Sequence, residues 1–190
     1  GYSAMMKVNK RFAAASFDNY TCSTGEQKRV VEALLSGCKN GFDRNIVILG
    51  GVGTGKTHLA YAIMNTIADR WQHSDTEYYR FDKVYYDTAK EMIDNIKLSW
   101  KDPEISNMDI YCKTPLLIID EVGVQYGSDS ERTELYEIFN TRYNDMLPTI
   151  VISNNTIEEL QKILGQRIYD RLSGGALIFE LNGRSHRQGG

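Results

Sequence analysis

The chain has 190 residues, a formal net charge of −3, 42% hydrophobic and 25% charged residues, which is the size of one domain able to bury a core. That charge balance excludes a global basic signal for nucleic acid while leaving a local basic face open. Cys22, Cys38 and Cys112 are too widely spaced for a zinc site or a disulfide framework, and no apolar run approaches the roughly 18 residues of a membrane span.

The N-terminus lacks the charged-then-apolar layout of a signal peptide, so the expected setting is the reducing cytoplasm, away from membranes. Gly1-Tyr2-Ser3-Ala4 ahead of Met5-Met6 reads as an expression remnant. Residues 1–11 are expected to be that remnant and a linker, and residues 12–190 the domain. Thr24–Ser36 predicts a helix with Val30, Val31, Leu34 and Leu35 on its apolar face and Gly37 as its stop.

From about residue 45, short apolar runs alternate with amphipathic segments, the pattern of a parallel sheet flanked by helices. Strands are predicted at Ile46–Leu49, Tyr78–Phe81, Leu116–Ile119, Ile150–Ser153 and Leu177–Leu181. Between them, Leu59, Ile63, Ile67 and Trp71 share a helical face with Ala60, Met64 and Ala68, and Leu135, Ile138, Phe139 and Arg142 mark another. Ser128 with Glu131 and Thr156 with Glu159 each match a capping box, placing helix starts after the third and fourth strands.

Gly50 to Thr57 satisfies GxxxxGK[ST] between an apolar strand and a helical segment, the setting of a phosphate-binding loop. Gly51, Val52, Gly53, Thr54 and Gly55 would curl with their N–H groups inward, next to the helix N-terminus that carries His58. Lys56 would reach the β- and γ-phosphates, and Thr57 would place its hydroxyl on magnesium. Leu116 to Ile119 is an apolar strand that delivers Asp120 and Glu121 to the sheet edge, the Walker B pattern. Asp120 would hold magnesium through water, and Glu121 would polarise a water against the γ-phosphate. Asn154, at the tip of the fourth strand, can touch both; an Asn that merely opens the next turn is the alternative.

The loop, the Asp-Glu strand and the strand ending in Ser153-Asn154 resemble the Walker A, Walker B and sensor 1 elements of AAA+ ATPases. Ser16-Phe17-Asp18-Asn19-Tyr20, Ile119 to Gly123, Leu164 to Leu172 and Ser185-His186-Arg187 make most of residues 12–187 similar to the DnaC/DnaI helicase loaders and the IstB-type transposition ATPases. The resemblance implies an α/β P-loop AAA+ three-layer fold, with a five-stranded parallel sheet flanked by helices and a small or truncated C-terminal lid. It implies Arg171 as the arginine finger, with Arg167 as the alternative on the same helix face, and Arg187 as sensor 2. His186 stands where the family has Tyr. Phe17 and Tyr20 would line the adenine pocket, or equally would be core aromatics pinning the N-terminal arm.

No guanine-reading Asn-Lys-x-Asp is present, so ATP/ADP with Mg2+ is the expected ligand. The implied partners are copies of the chain arranged head to tail, a replicative helicase gripped through an N-terminal region expected to be missing here, and single-stranded DNA. For DNA the stretch from Tyr85-Tyr86 to Lys101 offers Lys90, Lys97, Trp100 and Lys101. It also carries Asp87, Glu91, Asp94 and Asp102, so an ordinary solvated helix is the stronger reading. The leading function is a helicase-loader ATPase. The alternatives are a transposition helper, a non-hydrolysing nucleotide-gated module and, disfavoured by the absence of an arginine-rich lid, a small-molecule kinase.

Overall fold

The computed structural model describes residues 9–72, 84–101, 107–123 and 128–181. A short 3-10 turn at Lys10–Phe12 precedes α1 (Gly25–Asn40), β1 (Ile46–Leu49), α2 (Lys56–Gln72), β2 (Val84–Thr88), α3 (Ala89–Lys101) and α4 (Met108–Lys113). Then follow β3 (Leu116–Asp120), α5 (Asp129–Asn144), β4 (Thr149–Ser153), α6 (Ile157–Leu164), α7 (Gln166–Ser173) and β5 (Leu177–Glu180). The strands form one sheet in the order β2-β3-β4-β1-β5, with every pair parallel. β4 therefore stands between the strand that leads into the phosphate loop and the strand that ends in Asp120.

Alternation along the strands divides the core into two layers. Ile46 and Ile48 of β1 and Ile118 of β3 face α1 and α2, where Leu34, Leu59 and Ile63 are fully buried. Val47, Leu49, Leu117 and Ile119 face the opposite way, toward Met92, Ile96, Leu135, Ile138 and Leu172 of α3, α5 and α7. β1, β3 and β4 are buried on both faces, which explains their unbroken apolar runs.

The predicted strand Tyr78–Phe81 lies outside the described residues; the strand that pairs with β3 is Val84–Thr88. Tyr85 and Tyr86 thus belong to this strand and not to the helix that follows. Gly37 does not stop α1, which runs on to Asn40 and ends at Gly41, whose φ of 91° is the left-handed turn. The reason Gly37 is glycine is close approach: a Cβ there would sit 2.3 Å from the Phe42 ring.

The capping boxes are formed at Ser128 with Glu131 and Thr156 with Glu159, and a third joins Thr24 to Gln27. Arg142 does sit on the buried face of α5, at 1% exposure, where its guanidinium donates to the carbonyls of Tyr111, Thr114 and Pro148 and to Thr149 Oγ1. Burial pulls its pKa down to about 10, still well above neutrality, so a full charge ties α4, α5 and the start of β4 together. No helix among the described residues is long and apolar enough to cross a membrane.

Candidate nucleotide site

The parallel sheet presents the ends of β1, β3 and β4 at one edge, and the functional side chains gather there. Gly50 to Gly55 leaves β1 and turns into α2, whose first residue is Lys56. Gly55 has φ 81°, and a Cβ there would lie 2.6 Å from the Tyr20 ring, so any side chain would be both strained and clashing. Lys56 is buried and donates to the carbonyls of Gly50 at 2.6 Å and Gly51 at 2.8 Å and to Thr54 Oγ1 at 3.1 Å. Burial lowers its pKa while the Asp120 charge opposes that shift. An ammonium held by neutral oxygens inside an anion-binding loop is a cation ready for a phosphate.

Asp120, 2% exposed, closes the floor of the site. Its Oδ2 accepts the Thr57 hydroxyl at 2.8 Å and the Tyr86 hydroxyl at 3.0 Å, and its Oδ1 accepts the Glu121 backbone N–H at 2.7 Å. Having given its proton to Asp120, Thr57 Oγ1 keeps lone pairs free for a cation. Two hard oxygen donors in contact fit magnesium, which binds carboxylates and hydroxyls beside substrate phosphates. Glu121 is exposed and carries φ 55°, a left-handed conformation rare for a non-glycine residue and concentrated at functional sites.

A cavity of about 1380 Å³ opens over these groups and is lined by Gly53, Lys56, Thr57, Asp120, Glu121 and Asn154, among others. Asn154 is exposed on its wall. The neighbouring Asn155 makes the turn contacts instead, donating its side-chain amide to Glu159 and its backbone N–H to Ser153 Oγ. Ser153 Oγ in turn donates to the Val122 carbonyl and so ties the tips of β3 and β4 together.

The N-terminal arm packs beside the loop. Phe17 is in the core at 9% exposure, while Tyr20 donates its hydroxyl to the Thr54 carbonyl and lies 5.6 Å from the His58 ring. His58 Nε2 is 2.8 Å from the Ser16 carbonyl. Burial, with the Cys22 charge adding, pushes the Tyr20 phenol up to about 12, so it keeps its proton. The cavity walls on this side are Asn9, Arg11, Phe12 and His58, and neither Phe17 nor Tyr20 is among them.

The sequence model of the IstB-like ATP binding proteins matches residues 2–189. The chain belongs to this ATP-binding family. It is 30% identical to the replicative helicase loader DnaC of Escherichia coli strain K12 over 185 residues, 90% of this chain and 69% of that one. A protein of insertion sequence IS5376 from Geobacillus stearothermophilus, named for ATP binding, is 28% identical over 96% of this chain and 70% of its own. The fold matches the crystal structure of a DnaC helicase loader with a TM-score of 0.76 at 21% identity, covering 90% of this chain and 99% of that one. The chain is therefore an AAA+ domain homologous to the helicase loaders, and the expected five-stranded parallel fold is the one observed.

Within this IstB-like domain, the α7 arginines stand apart from the loop. Arg171 donates to Asn140 Oδ1 at 3.1 Å and lies over the Tyr143 ring at 4.9 Å; Arg167 lies over the Tyr136 ring at 4.4 Å. Neither lines the cavity. Arg187 lies outside the described residues, as do Ser185, His186 and Asp102. On α3, Lys90 pairs with Asp94 and Lys97 with Glu131, while the Trp100 indole donates to Glu134. Two of the cations expected to meet DNA are thus already neutralised within the chain. Two residues escaped the motif reading. Tyr86 reaches Asp120 from the next strand, and Ser153 was seen only as part of a strand tip.

Proposed function

We propose that this domain binds ATP with magnesium and hydrolyses it in a site completed by a neighbouring copy. We propose further that the cycle assembles or remodels a replicative helicase on single-stranded DNA. The observation that carries the reading is the placement of Glu121 at the cavity, one residue beyond Asp120 and separated from the phosphate-loop strand by β4.

Lys56 would exchange its carbonyl partners for phosphate oxygens, a charge-assisted contact stronger than those it leaves. Bound magnesium would supply charge neutralisation at the β- and γ-phosphates, held by Thr57 directly and Asp120 through water. Glu121 accepts a proton from water as the water oxygen bonds to the γ-phosphorus and the bond to the ADP oxygen breaks, releasing ADP and phosphate. Asn154 holds that water and a γ-oxygen in line. The negative charge spread over the transferring group calls for a cation opposite Lys56, and Arg171 of a neighbouring copy would supply it. Arg187 as sensor 2 belongs to the same reading.

The test is the ATPase rate per subunit against protein concentration, with and without single-stranded DNA, for the wild type and Arg171→Ala. A rate that rises with concentration and collapses in the variant supports the shared site; a flat, mutation-insensitive rate ends it. The similarity to the insertion-sequence protein favours a second reading, a transposition helper with the same motor. Stimulation of turnover by a transposase but not by a replicative helicase would select it.

A further inference from the structure

Asp120 is a nearly inaccessible carboxylate whose hydrogen-bond donors are neutral: two hydroxyls on Oδ2 and one backbone N–H on Oδ1. Each carboxylate oxygen accepts about two hydrogen bonds, so Oδ2 is saturated and Oδ1 keeps one direction free for the water shell of a cation. One of the saturating hydroxyls, Thr57, belongs to the phosphate-loop motif. The other, Tyr86, belongs to none.

Tyr86 comes from the edge strand. In the β2–β3 register Tyr86 stands opposite Ile118 and Thr88 opposite Asp120, so Tyr86 is the diagonal neighbour of Asp120 on the same sheet face, within reach of an aromatic side chain. Its ring is fixed from behind: the Tyr61 ring lies 5.2 Å away, and Phe12 stacks on Tyr61 at 5.3 Å and 22°. The Asp120 carboxylate oxygen can only accept, so the Tyr86 hydroxyl is the donor of this bond. A phenylalanine would fill the same space against Tyr61. What the hydroxyl adds is the hydrogen bond that stops the carboxylate from turning.

We infer that Tyr86 is a positioning residue for the magnesium–nucleotide site, fixing the Asp120 carboxylate through its hydroxyl so that Oδ1 is the oxygen offered to the metal's water. This rests on the proposed reading of the site as one for magnesium and nucleotide. Groups that orient a metal-binding carboxylate typically change metal affinity by about 10–100-fold when removed.

The experiment compares the wild type, Tyr86→Phe and Tyr61→Phe by binding of a fluorescent ADP analogue, first in EDTA and then across a Mg2+ titration, with Mn2+ electron paramagnetic resonance as a direct count of bound metal. Tyr61→Phe removes a neighbouring hydroxyl, the one that accepts the Asn9 N–H, without touching Asp120. For Tyr86→Phe the expected result is unchanged affinity in EDTA and a Mg2+ midpoint raised about tenfold, with a matching loss in the Mn2+ signal at fixed metal. Tyr61→Phe should keep the wild-type midpoint. Equal midpoints for Tyr86→Phe and the wild type overturn the inference, and so does an equal loss of affinity with and without metal, which would mark Tyr86 as a packing residue. A wild type whose nucleotide binding ignores Mg2+ overturns the proposed site itself, a result distinct from either.

Discussion

Around the phosphate loop the polar groups are tied to one another across three strand ends: Lys56 to the loop carbonyls, Thr57 and Tyr86 to Asp120, and Ser153 to Val122. On α7 the pattern is different. Arg171 meets a neutral amide and the face of Tyr143, and Arg167 the face of Tyr136. A guanidinium resting on aromatic and amide partners is ordered by packing, at a cation–π strength of only about 0.5–1 kcal/mol at exposed sites, and among the described residues no carboxylate forms an ion pair with Arg167 or Arg171. The polar groups of the loop already have partners within the chain. The helix holds charge that can serve another anion, and this is the physical basis for expecting it to act on a neighbour.

The largest effect that separates these regions is expected from Arg171→Ala, a fall in assembled turnover of about 10³-fold or more with ATP affinity nearly unchanged. Mixing Arg171→Ala with Glu121→Gln sharpens it. Each variant lacks what the other carries, so a site shared between copies regains turnover in the mixture, whereas one complete within a single chain does not. Glu121→Gln alone should lower turnover by roughly 10²–10⁴-fold while ATP still binds, measured by single-turnover hydrolysis beside equilibrium binding. Lys56→Ala should weaken ATP binding on the order of 100-fold, about 2.7 kcal/mol, measured by equilibrium binding. An Arg171→Ala variant that loses ATP binding as severely as Lys56→Ala would erase the distinction between the two regions.

The loop and the strands beside it are also the part that was legible in the sequence. Its residues are contiguous, from Gly50 to Thr57 and from Leu116 to Glu121, and strands buried on both faces carry unbroken β-branched or Leu runs. The strand expected at Tyr78–Phe81 lies outside the described residues, and β2 went unpredicted because its face is mixed, Val-Tyr-Tyr-Asp-Thr, with a buried acid interrupting the pattern. Tyr86 was passed over for a related reason. Its role depends on cross-strand register, which no local spacing encodes. Periodicity put Arg142 on the apolar face of α5, but that its charge is taken up by carbonyls from α4 and the turn before β4 is a tertiary fact. Gly37 has the composition of a helix stop, yet contact with Phe42 decides its role.

On the wall of the cavity, Asp87 offers the smallest and most discriminating measurement. Its Oδ2 accepts the Tyr111 hydroxyl at 2.7 Å and the Asn95 amide at 3.2 Å, yet it is 9% exposed. Burial pushes its pKa up to about 6, against the Tyr111 hydrogen bond and with the charge of Glu91 adding to the rise. A carboxyl whose folded pKa lies above its unfolded value favours folding in its protonated form. Its contribution is therefore fully present below the ordinary pKa of 3.8 and is lost as pH rises through about 6. Asp87→Asn keeps an oxygen to accept both donors and removes the ionisation. The variant should be more stable than the wild type by on the order of 1–3 kcal/mol near neutral pH, and this advantage should shrink toward zero as pH falls to about 4 and below. Melting curves of the two proteins across that range decide it: a difference that stays constant with pH would mean that Asp87 does not titrate there.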